Sequence, residues 1–151
     1  MVEAIVEQIE LKASPQVVFD AWTNPEQVPQ WWGEDGLYCV TKWKGELREG
    51  GKWRSEGVSA QGKNFAVEGE YLRVEPPRFL SFTWRHDWEE HSSTTIVELE
   101  FQKTATGTLL KLRHHGFTSQ SSRDDHKNGW GRVLGWLTGY VEKPSLSKSA
   151  H

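Results

Sequence analysis

The sequence predicts an α+β fold in which a long C-terminal helix covers one face of an antiparallel sheet. Between residues 2 and 115, short segments alternate apolar and polar residues, which is the period of half-buried strands. Two helix start signals interrupt this pattern soon after the first strand. Beyond residue 128 the apolar period changes to that of a helix. We therefore expect one strand, two short helices, six further strands and one long helix, in that order.

The first strand is predicted within residues 2–11, where Ile5, Ile9 and Leu11 share one parity and charged residues lie between them. Residues 13–33 predict two short helices, because a capping residue followed by a proline occurs there twice. These pairs are Ser14 with Pro15 and Asn24 with Pro25. Helices of about two turns are unstable alone in water, so we expect both to pack against the sheet.

Six strands are predicted after the helical pair, at residues 36–44, 52–56, 65–74, 79–85, 95–101 and 108–115. Short turns join these segments, which favours antiparallel pairing with one buried face. Gly69 interrupts the third segment and predicts a bulge or bend there. In the fourth segment, Leu80, Phe82 and Trp84 share one face.

The long helix is predicted from an apolar stripe that begins at Trp130, with Ser121 and Asp124 as a capping box before it. The lysine–proline pair at residues 143–144 ends the helix. Its opposite face carries glycines at positions 131, 135 and 139, which predict either a homodimer contact or simply an exposed face.

Composition limits the class of protein. Residues 1–143 are expected to form a single domain, followed by a flexible tail at residues 144–151. A formal net charge of −3 with scattered basic residues argues against a nucleic-acid partner. The absence of a long apolar run or a signal-peptide core predicts no membrane insertion and a cytoplasmic protein. Cys39 is the only cysteine, which excludes an intrachain disulfide. The sequence contains no nucleotide-binding fingerprint, so we expect no cofactor.

Nine tryptophans are the unusual feature of the composition. Each indole can bury roughly 150–250 Å², and its N–H needs an acceptor when it is enclosed. The tryptophans therefore predict either a bulky core or an aromatic-lined cavity, since rigid rings are difficult to pack without voids.

Five blocks of the chain occur in the order typical of one known superfamily. They are ASPQVVFDAWTNPEQVPQWWG (residues 13–33), GELREGG (45–51), the strand pair around residues 74–84, TLLKLRHHGF (108–117) and NGWGRVLGWLTGYVE (128–142). Together they resemble the START-like (SRPBCC) superfamily, in the branch related to the activator of the Hsp90 ATPase. The resemblance implies a helix-grip fold, in which a curved antiparallel sheet wraps around the C-terminal helix and leaves a cavity between them. Members include lipid and hormone binders, aromatic polyketide cyclases, oxygenase domains and co-chaperones, so the fold does not choose a function.

The resemblance implies a cavity lined by one parity of each strand and by the inner stripe of the last helix. The candidate ligand-binding residues are Trp32, Trp53, Phe82, Trp84, Leu110, His114, Trp130, Leu134 and Leu137. We expect them to enclose a small hydrophobic or aromatic molecule. The alternative is that the same side chains simply fill the core.

His114 is the candidate with acid–base chemistry, either as a general base or as a donor to the ligand. The alternative is a core histidine whose ring nitrogens are both hydrogen-bonded. A cyclase-like or hydrolytic enzyme would pair His114 with a carboxylate such as Glu68 or Glu98. Strand parity does not clearly bring these groups together, because Glu98 alternates with apolar residues.

The segment HDWEEH (residues 86–91) predicts a solvated acidic loop and no metal site, because its spacing differs from the zinc helix motif. Trp88 within this loop is either a lid over the cavity or a contact for a partner. A partner contact at Trp88 would fit a hypothesis beside the ligand-binding protein and the enzyme, namely an interaction module of the Hsp90 co-chaperone type.

Overall fold

The computed structural model describes residues 2–88 and 93–143, which form an antiparallel sheet and three helices. The strands are β1 (Ile5–Leu11), β2 (Gly33–Glu34), β3 (Tyr38–Gly45), β4 (Lys52–Ser59), β5 (Asn64–Glu75), β6 (Phe79–His86), β7 (Thr95–Lys103) and β8 (Thr108–His115). The helices are α1 (Pro15–Thr23), α2 (Val28–Trp31) and α3 (Gln120–Val141). The strand order is β1-β8-β7-β6-β5-β4-β3-β2, and the sheet curls into a half-barrel around α3. The predicted helix-grip α+β fold is confirmed; the sequence did not predict the two-residue β2, and the proposed tail at 144–151 lies outside the described residues.

The first helix starts as its signal predicts, because the Val17 N–H donates to Ser14 Oγ at 3.3 Å. The second signal serves both helices, because Asn24 Oδ1 accepts the Glu26 N–H at 2.9 Å and so starts the turn that leads into α2. Asn24 is the C-cap of α1, where its backbone N–H donates to the Asp20 carbonyl at 2.8 Å, and α2 is a single turn that begins only at Val28.

The long helix begins at Gln120, and its N-cap lies two residues before the predicted one. Ser119 is the N-cap, and its Oγ accepts a hydrogen bond from the Ser122 N–H at 3.2 Å. Opposite the buried stripe of α3, a Cβ added at Gly131, Gly135 or Gly139 would meet open space. A homodimer contact on this face stays a prediction.

Gly69 has a different role from the one its position suggested. The register shift in the β5–β6 pair lies between Tyr71 and Arg73, beyond Gly69. At Gly69 the two strands approach so closely that a Cβ would lie 1.9 Å from the Thr83 carbonyl oxygen. The glycine is therefore required by contact with the neighbouring backbone.

We expect Gly69→Ala to lower the free energy of unfolding by about 1–3 kcal/mol, since the new methyl group must displace backbone. Gly135→Ala is the matched control. It adds the same methyl group to an exposed position inside α3 and should raise stability by up to about 1 kcal/mol. Urea unfolding of both variants checks this, and equal effects would contradict the close approach.

The backbone of α3 lies nearest to β1, α1 and α2. Polar contacts fix it to the first strand and its flanks, including Lys127 Nζ to Glu7 Oε1 at 3.2 Å and the Lys12 N–H to Glu142 Oε2 at 3.0 Å. On the side of β3–β6, large aromatic side chains fill the distance between helix and sheet. No helix among the described residues is long and apolar enough to cross a membrane.

Candidate functional site

Seven tryptophans form one buried cluster between α3 and the inner face of the sheet. They are Trp22, Trp31, Trp32, Trp43, Trp53, Trp84 and Trp130, each no more than 7% exposed. Their rings contact one another from end to end, with centroid distances that include 5.0 Å for Trp43–Trp53 and 5.3 Å for Trp84–Trp130. We call this set the tryptophan cluster.

The predicted ligand-binding residues all lie in this interior. All nine are buried: Trp32, Trp53, Phe82, Trp84, Leu110, His114, Trp130, Leu134 and Leu137. Trp32, Trp84 and Trp130 contact one another through their rings, and Phe82 packs edge-on against Trp53 at 5.3 Å. Buried side chains of this kind can either fill a core or line a ligand cavity, so contact of these nine residues with a ligand stays a prediction.

His114 is fully buried at the end of β8, and both of its ring nitrogens are hydrogen-bonded. The Trp130 indole N–H donates to His114 Nδ1 at 2.9 Å. Nδ1 must therefore carry the lone pair, which leaves the proton on Nε2 to donate to Thr95 Oγ1 at 2.7 Å. The Thr95 hydroxyl in turn donates to the Trp84 carbonyl at 3.2 Å. The chain of bonds fixes the neutral tautomer of the imidazole.

His126 forms a second chain of this kind, which the sequence reasoning missed. The Trp84 indole N–H donates to His126 Nε2 at 3.2 Å, and His126 Nδ1–H donates to the Ser122 carbonyl at 2.8 Å. The two imidazoles are neighbours, with ring centroids 5.4 Å apart. His126 lies one helical turn before Trp130, so extending the apolar stripe upstream by four residues would have found it.

The environment of His114 opposes its protonation. Burial lowers the pKa of His114 to about 2, and repulsion from the neighbouring His126, His115 and His86 adds to this effect. The carboxylates that were considered as its partners point away from it. Glu68 pairs with Arg54 at 2.5 Å at an exposed position, and the half-buried Glu98 pairs with Arg113 at 2.9 Å. Within the described residues neither of these carboxylates therefore reaches His114, and the histidine next to Glu98 is His115, at 3.3 Å on the outer face of the sheet.

Two indole N–H groups of the tryptophan cluster lack a hydrogen-bond acceptor within the described residues. They belong to Trp22 and Trp53, which are 1% and 2% exposed. The Trp43 N–H also makes no hydrogen bond of good geometry, although it lies near the Tyr71 hydroxyl. Burial raises the pKa of Tyr71 to about 12, against the opposing effect of that indole. Each unmet donor costs about 1–3 kcal/mol, so these N–H groups mark places where an acceptor would be favourable.

The rim of the interior near the end of β6 is aromatic and exposed. Trp88 is 50% exposed, packs against His86 with a centroid distance of 4.5 Å, and meets Phe65 edge-on at 5.9 Å. It also stacks on His126 at 5.9 Å. Trp88 thus covers the buried histidines from the solvent side, an arrangement that suits both a lid and a partner contact.

The outer face of the sheet carries an open groove of about 660 Å³, lined by both signs of charge. Its lining includes Lys52, Arg54, Glu68 and Arg85, and Trp53 is the one predicted ligand-binding residue among its neighbours. An ion pair between Arg54 and Glu68 crosses this face. Alternating charges on neighbouring strands are what a solvated sheet surface requires, so we place the candidate site in the aromatic interior.

In residues 2–88 and 93–143, no three His, Cys, Asp or Glu side chains are arranged to hold a metal ion. Of the HDWEEH segment, residues 89–91 lie outside the described residues.

Comparison with known proteins gives one family and a set of similar structures. The family model described as "Activator of Hsp90 ATPase homolog 1-like protein" matches residues 12–142. Among solved structures, protein CV1439 from Chromobacterium violaceum is similar with a TM-score of 0.81 and 23% identity, covering 93% of this chain and 97% of the other. An AHSA1-like protein from Aeromonas hydrophila is similar with a TM-score of 0.77 and 22% identity, and the match covers 95% of each chain. CalU16 from Micromonospora echinospora is similar with a TM-score of 0.69 and 28% identity, and the match covers 97% of this chain and 82% of the CalU16 chain.

No curated protein matches the sequence. The solved structures that are less than 25% identical support the fold alone.

Proposed function

This chain belongs to the family of activator of Hsp90 ATPase homolog 1-like proteins, and we propose that it binds a small aromatic or apolar molecule between the sheet and α3. The observation that carries the proposal is the tryptophan cluster with its unmet indole donors. A core that only had to be stable would leave few such donors, because each one costs free energy. Binding sites combine an apolar aromatic lining with a few polar groups in this way.

The fold allows the interior to open without loss of the sheet. Because side chains rather than backbone contacts bridge α3 to β3–β6, a ligand can enter by displacing rings. Such a movement does not require breaking the ladder between β1 and β8 or the contact of Lys127 with Glu7. Each 100 Å² of apolar ligand surface removed from water contributes about 2.5 kcal/mol, which offsets the cost of moving rings.

The test is a titration of the protein with indane, a small apolar aromatic hydrocarbon, followed by NMR of the tryptophan indole N–H signals. We expect saturable shifts of signals from the tryptophan cluster, which phenylalanine variants assign one by one. The Trp136 signal is the internal control, because its N–H donates to Glu34 Oε1 at 2.9 Å outside the cluster. Shifts confined to Trp88 and Trp136, or none at all, would contradict binding in the interior.

A second candidate function, contact with a protein partner, is favoured by the exposure of Trp88. The family description points to an Hsp90-type ATPase as that partner. Addition of the chain to a purified Hsp90 would then stimulate ATP hydrolysis, and Trp88→Ala would abolish the stimulation while leaving indane binding unchanged. Unaltered ATPase activity with the unmodified chain would reject this candidate.

A further inference from the structure

Among the described residues, the rings of the tryptophan cluster offer hydrogen-bond donors, and the ring nitrogens that could accept from them are already in use. Indole groups only donate, and the two imidazole lone pairs that face the tryptophan cluster are already used, by Trp130 on His114 and by Trp84 on His126. Trp31 and Trp32 likewise donate to groups of the protein, the Ala21 carbonyl and the Tyr38 hydroxyl. Trp22 and Trp53 are left with donors that nothing in the described residues accepts.

The interior is also free of formal charge. The buried polar side chains of the described residues are serines, threonines and histidines, with no Asp, Glu, Lys or Arg among them. His114, the most deeply buried of these histidines, is held neutral by its environment. A charged ligand group would find no opposite charge here and would lose its hydration, which is expensive in an apolar interior. A neutral acceptor avoids this cost.

We propose that the ligand is a planar, neutral molecule with a carbonyl-type acceptor, anchored by the Trp53 indole N–H. This inference rests on the proposed function and names the class of ligand for the same site. Of the two unmet donors, Trp22 on α1 and Trp53 on β4, Trp53 is the better anchor because it is held by a strand of the sheet. Its ring stacks on Trp43 at 5.0 Å with an interplanar angle of 14°, so two indoles whose N–H groups lack a good acceptor lie side by side.

The stacked pair also selects for shape. Trp53 is bounded on its other sides by Phe82 at 5.3 Å and Trp84 at 5.8 Å, so its neighbours are flat rings. A planar ligand can replace ring contacts of this kind with contacts of equal quality, whereas a bulky aliphatic one cannot. The carbonyl then supplies the hydrogen bond that the indole lacks.

The test compares 1-indanone with indane, two bicyclic molecules of the same shape that differ by a carbonyl group. Their dissociation constants are measured by calorimetry for the unmodified protein, for Trp53→Phe and for the control Trp136→Phe. Trp53→Phe keeps an aromatic ring but removes the donor. We expect it to weaken 1-indanone binding by about fivefold to tenfold relative to indane, while Trp136→Phe leaves the ratio unchanged. In the NMR spectrum, 1-indanone but not indane should shift the Trp53 N–H proton downfield.

Binding in the interior and the carbonyl anchor at Trp53 are contradicted by different results. If neither molecule binds, the proposed function is wrong. If both bind and Trp53→Phe weakens them equally, the proposal of a carbonyl anchor is wrong, because water or the face of the Phe82 ring then satisfies the N–H. Thermal unfolding of Trp53→Phe shows beforehand that the variant is folded.

Discussion

Replacing Trp22 with alanine is expected to lower the free energy of unfolding by about 3–5 kcal/mol. Trp22 projects from α1 into the centre of the tryptophan cluster and is 1% exposed. Its ring contacts Trp31, Trp32 and Trp130, with centroid distances between 5.3 and 6.1 Å. Rigid neighbours of this size collapse poorly into a vacated space, so the cavity that remains adds to the lost burial.

Trp88→Ala is the matched control, because it makes the same chemical change at a half-exposed position. It should cost less than about 1 kcal/mol. Urea unfolding followed by far-ultraviolet circular dichroism gives both values without relying on tryptophan fluorescence. Comparable losses in the two variants would contradict a core organised around Trp22.

Acidification is expected to destabilise the protein through His114. The pKa of His114 falls from 6.5 in the unfolded chain to about 2 in the folded one, mainly because of burial. Between these pH values His114 is protonated in the unfolded state but not in the folded state, so the free energy of unfolding rises with pH across this window. The contribution is complete above pH 6.5 and decreases by about 1.4 kcal/mol per pH unit below it, reaching about 2.7 kcal/mol of loss at pH 4.5.

His114→Gln removes this titration and keeps a polar side chain. We expect its stability to depend less steeply on pH between 6.5 and 4.5 than that of the unmodified protein, whatever its absolute value. His115→Gln is the control, since His115 lies on the outer face of the same strand beside Glu98 at 3.3 Å. Identical slopes for the unmodified protein and His114→Gln would show that His114 accepts a proton in the folded state.

Helix caps and a special glycine were predicted near the correct places, but their exact positions or roles differ in the structure. The reasons are contacts that the local sequence does not contain. An asparagine before a proline suits the end of one helix as well as the start of the next, and Asn24 does both: its N–H donates to the Asp20 carbonyl of α1, and its Oδ1 accepts the Glu26 N–H ahead of α2. Serines at 119 and 121 are equally able to cap a helix, and in the folded chain it is Ser119 whose Oγ accepts the Ser122 N–H. Gly69 was expected to mark a bulge or bend, but the close approach of the β6 backbone is what requires a glycine there.

The sequence by itself determined the order of the elements apart from β2, which face of most strands is buried, and most of the apolar residues of the interior. Periodicity fixes these properties because side chains alternate along a strand and repeat every 3.6 residues along a helix. Only the tertiary structure decided how the interior side chains pair. That His114 receives the Trp130 N–H, that Trp84 uses His126, and that Trp53 has no acceptor depend on ring orientations at contacts between distant segments. Hydrogen bonds are directional, whereas the hydrophobic burial that a sequence pattern encodes is not, so burial was predictable and pairing was not.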